Sequence, residues 1–218
     1  MRRLPPFLAL AAAVLSTRAD VLGLQQQVYV FRPVASLALI AMALWPAASS
    51  RYRTWMSAGL VASLVGDTLL MLPQGLFVPG LVAFLAAHLC YIRAFATDGA
   101  GVRAPLLPGV PVLVAALAVL RYLWPSLGPM RVPVACYVAT IMVMSWQAIA
   151  RWRVRRTPGA AIAAAGSVFF LASDSALAIN RFMAPYAGAA LVVMATYYAA
   201  QFALARSVAM GAAPTEAR

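Results

Sequence analysis

Four stretches of this chain, 33–50, 104–120, 132–150 and 182–205, contain no charged residue at all, and each approaches the roughly 20 residues that an α-helix needs to cross the hydrocarbon core of a bilayer. Three more stretches of similar length carry one ionisable side chain apiece: Asp67 in 54–72, His88 in 75–92 and Asp174 in 157–180. An eighth, from Leu4 to about position 23, holds Arg18 and Asp20 near its far end. A chain built this way has few options. With hydrophobic residues at 64% and charged residues at only 10%, it cannot supply the polar surface of a soluble domain. The segments between the runs are short and marked by Pro and Gly, at 73–75, 98–105, 125–129 and 183–185, which leaves no room for one. The expected fold is all-α: one polytopic transmembrane domain over 1–218, with eight helices at about 4–23, 33–50, 54–72, 75–95, 104–120, 132–150, 157–180 and 182–206.

The net charge of +12 would point to nucleic acid in a soluble protein. Here the seventeen basic residues, all Arg, gather at the ends of the apolar runs, so they orient the chain and no nucleic-acid partner is expected. With the N-terminus inside, twelve fall on the cytoplasmic side; Arg18, Arg32, Arg121, Arg131 and Arg181 fall outside. Both termini are therefore expected in the cytoplasm, with the first run kept as an uncleaved helix rather than a signal peptide. The all-Arg, Ala-rich usage suggests a bacterial inner membrane. Cys90 and Cys136 have no metal-ligand spacing and read as small core residues.

The two halves echo each other. Leu64-Val65-Gly66-Asp67-Thr68-Leu69-Leu70 parallels Leu171-Ala172-Ser173-Asp174-Ser175-Ala176-Leu177, an Arg-x-Arg pair precedes each, and Pro33 and Pro133 stand just inside the preceding helices. This predicts a parallel repeat of four plus four helices. In such a repeat the third and seventh helices run the same way. At about 1.5 Å per residue both acids then lie in the outer half of the bilayer, facing one cavity if the two helices meet at the bundle centre.

A carboxyl at membrane depth is costly unless it faces a polar cavity, so Asp67 and Asp174 are the leading candidates for function. Around them, His88 shares a face with Gly80, Phe84, Tyr91 and Phe95, spaced by four and three. Ser173 and Asn180 flank the Asp174 stripe, which also carries Ser167, Phe170 and Arg181; Thr196, Tyr197, Tyr198 and Gln201 form a polar cluster deep in an uncharged run. Of the two tyrosines, only one is expected to line the site. Arg32 and Arg181, on the same side as the acids, could grip a phosphate. Several chemistries drop out. A single histidine cannot build a three-His zinc site, no Gly-x-Ser-x-Gly elbow or Walker fingerprint occurs, and Gly66-Asp67 lacks the glycine at position 64 that an intramembrane aspartyl protease would place there. No metal or cofactor is expected.

The order of these features resembles the lysoplasmalogenase (YhhN-like) family of eight-helix membrane enzymes. The matching residues are Arg32-Pro33, Gly66-Asp67 with Leu70-Met71, Gly80, Phe84, Ala87-His88, Tyr91 and Phe95, then Ser173-Asp174 with Phe182, and Thr196-Tyr197-Tyr198 with Gln201. The resemblance implies hydrolysis of the vinyl ether bond of a lysophospholipid, giving a fatty aldehyde and a glycerophospho-alcohol. Such a bond is broken by protonating its β-carbon, and water then captures the oxocarbenium ion. One acid must donate a proton; the other, ionised, can stabilise the cation and take a proton from water. Asp67 and Asp174 suit these roles in either order, with His88, Tyr197 and Gln201 positioning water and Arg32 or Arg181 holding phosphate. A proton-coupled transporter using the same two acids is the alternative.

Overall fold

The computed structural model describes residues 4–45, 50–97, 99 and 107–211. Among them are eight α-helices: α1 (Leu4–Val21), α2 (Gln25–Leu44), α3 (Arg51–Met71), α4 (Phe77–Ala96), α5 (Val110–Leu123), α6 (Arg131–Arg155), α7 (Pro158–Phe182) and α8 (Ala189–Gly211). No strand occurs among the described residues. α2, α3, α4, α6, α7 and α8 are each long and apolar enough to cross a membrane, whereas α5, at 14 residues, is shorter. The protein is thus an all-helical polytopic membrane protein. Its surface agrees: Phe7, Leu10, Val14, Leu37, Val82 and Val132 are more than half exposed, an arrangement that water would penalise and lipid accepts.

Local chemistry explains most helix ends. Ser50 caps α3 by accepting from the Arg53 amide at 3.1 Å, and Thr157 caps α7 by accepting from Ala160 at 3.3 Å with Pro158 just inside. α6 stops where Arg156 takes a left-handed conformation, φ 52°. Two helix starts differ most from the sequence reading. Pro33 does not open α2; the helix starts at Gln25, about two turns earlier, and runs through the proline. A membrane helix tolerates that loss of one backbone donor because neighbouring helices re-satisfy the freed carbonyl. α8 begins at Ala189 rather than near 182, since Pro185 and Gly188, at φ +80°, hold 183–188 in a turn. The expected start of the fifth helix at 104 lies outside the described residues.

The strongest packing is within the pairs α1–α2, α3–α4 and α7–α8, each joined by a short connection and therefore antiparallel. Small residues permit it. A methyl group built on Gly166 of α7 would meet the Ala200 carbonyl of α8 at 3.0 Å, and one on Gly66 of α3 would fall 2.6 Å from the Phe84 ring of α4. Contrary to the repeat-based expectation, α3 and α7 do not pack closely together; α4 and α8 flank the space between them. Cys136 is a second correction. It is exposed on the outer side of α6 and Cys90 is only half-buried, so neither is a core residue.

Candidate active site

Asp67 and Asp174 line one cavity of about 360 Å³. It lies at the end of the bundle where α1 ends, α2 begins, α3 turns into α4 and α7 turns into α8, with Leu72, Gly75, Leu76 and Ala189 at its rim. Asp20, Arg32, Ser173, Asn180, Arg181 and Tyr197 supply the rest of its polar lining.

Each acid has its own support. Asp67 is held on the α3 face turned to α2 and α8: its Oδ2 accepts from Tyr197 Oη at 2.6 Å and from Ser36 Oγ at 2.9 Å. Behind Tyr197 a chain of buried hydroxyls and amides continues. Gln201 Nε2 donates to Tyr197 Oη at 2.9 Å, Tyr91 Oη donates to Gln201 Oε1 at 3.0 Å, and Ser63 lies 3.2 Å from Tyr91. The helical spacing of Tyr197 and Gln201, four apart on α8, is what lets one side chain orient the other. A fully connected network of this kind fixes its members, because each broken link would leave a buried polar group unpaired.

Asp174 sits in plainer surroundings. Its Oδ2 accepts from Tyr137 Oη at 2.6 Å, and His88 Nε2 stands 3.8 Å away, beyond hydrogen-bond reach. The His88 ring is fully buried and wedged edge-on between Tyr137 and Phe170, with centroids 5.1 and 4.8 Å away. Neither of its nitrogens has a hydrogen-bond partner. A buried imidazole without partners is costly, and it stands beside the carboxylate rather than at random in the core.

The remaining sequence candidates divide. Ser173 and Asn180 face the cavity, but the Ser173 hydroxyl donates to the Val193 carbonyl at 3.0 Å and Asn180 Oδ1 accepts from the Tyr186 amide at 3.3 Å. Tyr91 and Gln201 do not line the cavity and are joined to it by hydrogen bonds through Tyr197. Tyr198 turns away altogether: its hydroxyl bonds Ser16 of α1 at 2.8 Å and its ring lines a separate groove on α1 and α8. Arg32 reaches the cavity, yet its guanidinium is paired with Asp20 at 2.5 Å. Arg181 also faces the cavity and lies over the Phe77 ring at 5.1 Å. Three contributors were missed: Ser36, Tyr137 and Asp20. Ser36 was findable, being four residues after Arg32 on one helical face. Tyr137 stands alone in an uncharged run with no polar stripe to betray its direction.

Residues 27–208 match the family described as YhhN family. The chain belongs to the YhhN family. Among its relatives, human "Lysoplasmalogenase TMEM86B" is 35% identical over 188 residues, covering 84% of this chain and 74% of its own. "Lysoplasmalogenase" of Mycobacterium tuberculosis (strain CDC 1551 / Oshkosh) is 34% identical over 180 residues, 76% of this chain and 67% of that one. "Uncharacterized membrane protein YhhN" of Escherichia coli O6:H1 is 30% identical over 198 residues, 90% of this chain and 94% of its own length. No solved structure matches the chain. The site therefore belongs to a YhhN-family scaffold; the family match covers nearly all of α2 to α8, while α1, which supplies Asp20, lies outside it.

Proposed function

We propose that this protein is a membrane-embedded hydrolase that cleaves the vinyl ether bond of lysoplasmalogen-type lysophospholipids, releasing a fatty aldehyde and a glycerophospho-alcohol, with Asp67 and Asp174 as an acid/base pair. The observation that carries the reading is the shared cavity: two carboxyls from separate helix pairs border one space large enough for water and a polar head group. The relatives named lysoplasmalogenase support the reaction class. Vinyl ether hydrolysis needs a proton given to carbon and a proton taken from water, and two acids on one cavity can perform both. Arg181 at the rim suits the phosphate of a lysophospholipid better than Arg32, whose charge is already matched by Asp20. His88, Tyr197, Tyr91 and Gln201 act on the acids as positioning groups.

The protein forms a single transmembrane domain of eight spans with both termini in the cytoplasm of a bacterial inner membrane, and its halves descend from a four-helix repeat. The cavity then opens on the outer face, since it lies at the helix ends opposite α1's start and α8's finish. Aldehyde release from lysoplasmalogen by detergent-purified protein tests the activity. The wild type turns over without a sealed membrane, which a transporter would require, and Asp67→Asn and Asp174→Asn abolish turnover. Retained activity in either folded variant removes that residue from the mechanism.

A further inference from the structure

The cavity does not end at Asp174. Beyond that carboxyl a second void, of about 60 Å³, continues between α4, α5, α6 and α7, sharing Leu70, Phe77, Phe84, Asp174 and Leu177 with the first. Its character is opposite. Apart from Asp174, the only polar side chains on it are Tyr137, which donates to Asp174, and Ser175, which spends its hydroxyl on the Leu171 carbonyl at 2.7 Å.

The void also marks a seam. On one side stand Phe84 and Ile141 of the main core; on the other are Val138, Ala178 and Phe182, packed on a separate cluster around Leu123, Leu127 and Val134. The outer wall is α5, the shortest helix, in which only Val112, Ala116 and Leu123 are buried. Leu123 ties the end of α5 into the second cluster, while the rest of the helix buries only Val112 and Ala116, so this wall gives most easily along α5 short of Leu123.

We infer that the alkenyl chain of the substrate lies in this seam, with the ether oxygen at Asp174 and the head group in the polar cavity, and that this pose makes Asp174 the proton donor. The inference rests on the hydrolase reading above. A lysoplasmalogen changes from polar to apolar at one bond, its vinyl ether, and the protein's lining changes from polar to apolar at one carboxylate, Asp174. Superposing the two junctions places the β-carbon, the first chain atom beyond the ether-bearing carbon, on the apolar side. Asp174 borders that side, whereas Asp67 borders the polar cavity alone.

The roles follow. The proton of Asp174 and the vinyl π pair form the new C–H bond at the β-carbon, leaving an oxocarbenium ion on the ether carbon. A water in the polar cavity adds to that carbon and passes a proton to the Asp67 carboxylate. The hemiacetal then collapses: its hydroxyl proton returns to Asp174, the C=O bond of the aldehyde forms, the bond to the glycerol oxygen breaks, and that oxygen takes the proton from Asp67. One water is consumed and both acids regain their starting states. The void as it stands is small, about 60 Å³, so it seats only the first carbons of the chain beyond the ether. The rest of the chain passes outward beside α5 into lipid.

The competing seat is a roomier apolar groove of about 780 Å³ on α1, α2 and α8, which reaches neither acid. Photolabelling separates the two. A saturated 1-O-alkyl lysophospholipid with a diazirine on the fourth carbon of its chain is bound to the purified full-length protein, irradiated, and the adducts mapped by mass spectrometry. Adducts are expected on α5 and α6 around Val119, Leu123 and Val138; adducts confined to the groove around Ala13, Leu39 and Phe202, or spread evenly over the lipid-facing helices, overturn the pose. Val138→Phe, which fills the seam, is expected to raise KM for long-chain lysoplasmalogen about tenfold, at roughly fourfold per excluded methylene, and to spare a 1-O-vinyl analogue whose chain ends at the β-carbon. Equal loss on both chain lengths would also overturn it. The label is not hydrolysed, so its position reports the pose even if hydrolysis fails; aldehyde release together with groove labelling would spare the hydrolase reading and sink this one.

Discussion

Replacing Tyr197 by Phe removes one oxygen from the middle of the network and little else. The ring stays, with its edge-on contacts to Phe84 and Phe170 at centroid distances of 5.9 and 5.7 Å. What goes is the 2.6 Å bond to Asp67 and the acceptor for Gln201 Nε2 at 2.9 Å. These two losses differ in size. Hydrogen bonds between membrane helices average about 0.6 kcal/mol, so the orphaned Gln201 amide costs stability of that order. A bond to a charged acceptor is worth about 1.5–3 kcal/mol, and the proposed mechanism requires Asp67 charged when it meets the oxocarbenium ion. If that bond is fully developed only in the transition state, kcat/KM falls by about 10- to 150-fold, a change of about 1.4 kcal/mol per decade, while the thermal midpoint barely moves. A coupled assay that follows aldehyde reduction, run beside a thermal scan in the same detergent, measures both. Adding Gln201→Leu to Tyr197→Phe should cost less than the sum of the single changes, because the two residues share one link. Wild-type kcat/KM in a Tyr197→Phe protein of unchanged thermal midpoint would refute the reasoning, since the network would then hold helices together without tuning Asp67.

Other outcomes follow from the same geometry. His88→Phe keeps the aromatic wedge between Tyr137 and Phe170, so it should fold normally yet lose about tenfold or more in kcat, in line with the loss of a group that assists proton transfer; full activity would reduce His88 to packing. Asp20→Asn strands Arg32 in a largely buried position and should cost about 3–5 kcal/mol, read as a lower midpoint of denaturant unfolding, with much of it recovered by adding Arg32→Met. Gly66→Val drives its side chain into Phe84, costing about 1–3 kcal/mol and lowering activity by crowding the wall next to Asp67. A C-terminal fluorescent-protein fusion should glow and an alkaline phosphatase fusion should be inactive if both termini are cytoplasmic.

The helices and the two acids were legible in the sequence for one reason: a bilayer leaves a strong one-dimensional signal. Uncharged runs of fixed length declare spans, and a carboxyl inside such a run stands out against everything around it. What lay beyond that signal was lateral. That α3 and α7 stand apart, with α4 and α8 between them, depends on which small residues permit close approach, and Gly66 and Gly166 do not announce their partners. Rotational detail suffered likewise. Tyr197 and Tyr198 are neighbours in the chain and point about 100° apart on a helix, so one orients Asp67 and the other bonds Ser16 on the far side. Pro33 misled because a proline is a start signal in water and only an interruption in lipid. Tyr137 carried no pattern at all, and its role emerges only from the fold that brings α6 against α7.

In the proposed pose the two voids that meet at Asp174 serve different media. One opens at the end of the bundle; the other would give onto the acyl phase beneath the lightly buried α5. Hydrolysis at their junction would therefore sort what it makes: the soluble glycerol derivative leaves by the wet route, and the reactive long-chain aldehyde partitions sideways into the leaflet without crossing water. Turnover in such a device would be limited less by the bond it breaks than by how fast the surrounding bilayer drains the oily product, so enzyme in fluid, thin membranes would outpace the same enzyme in stiff ones.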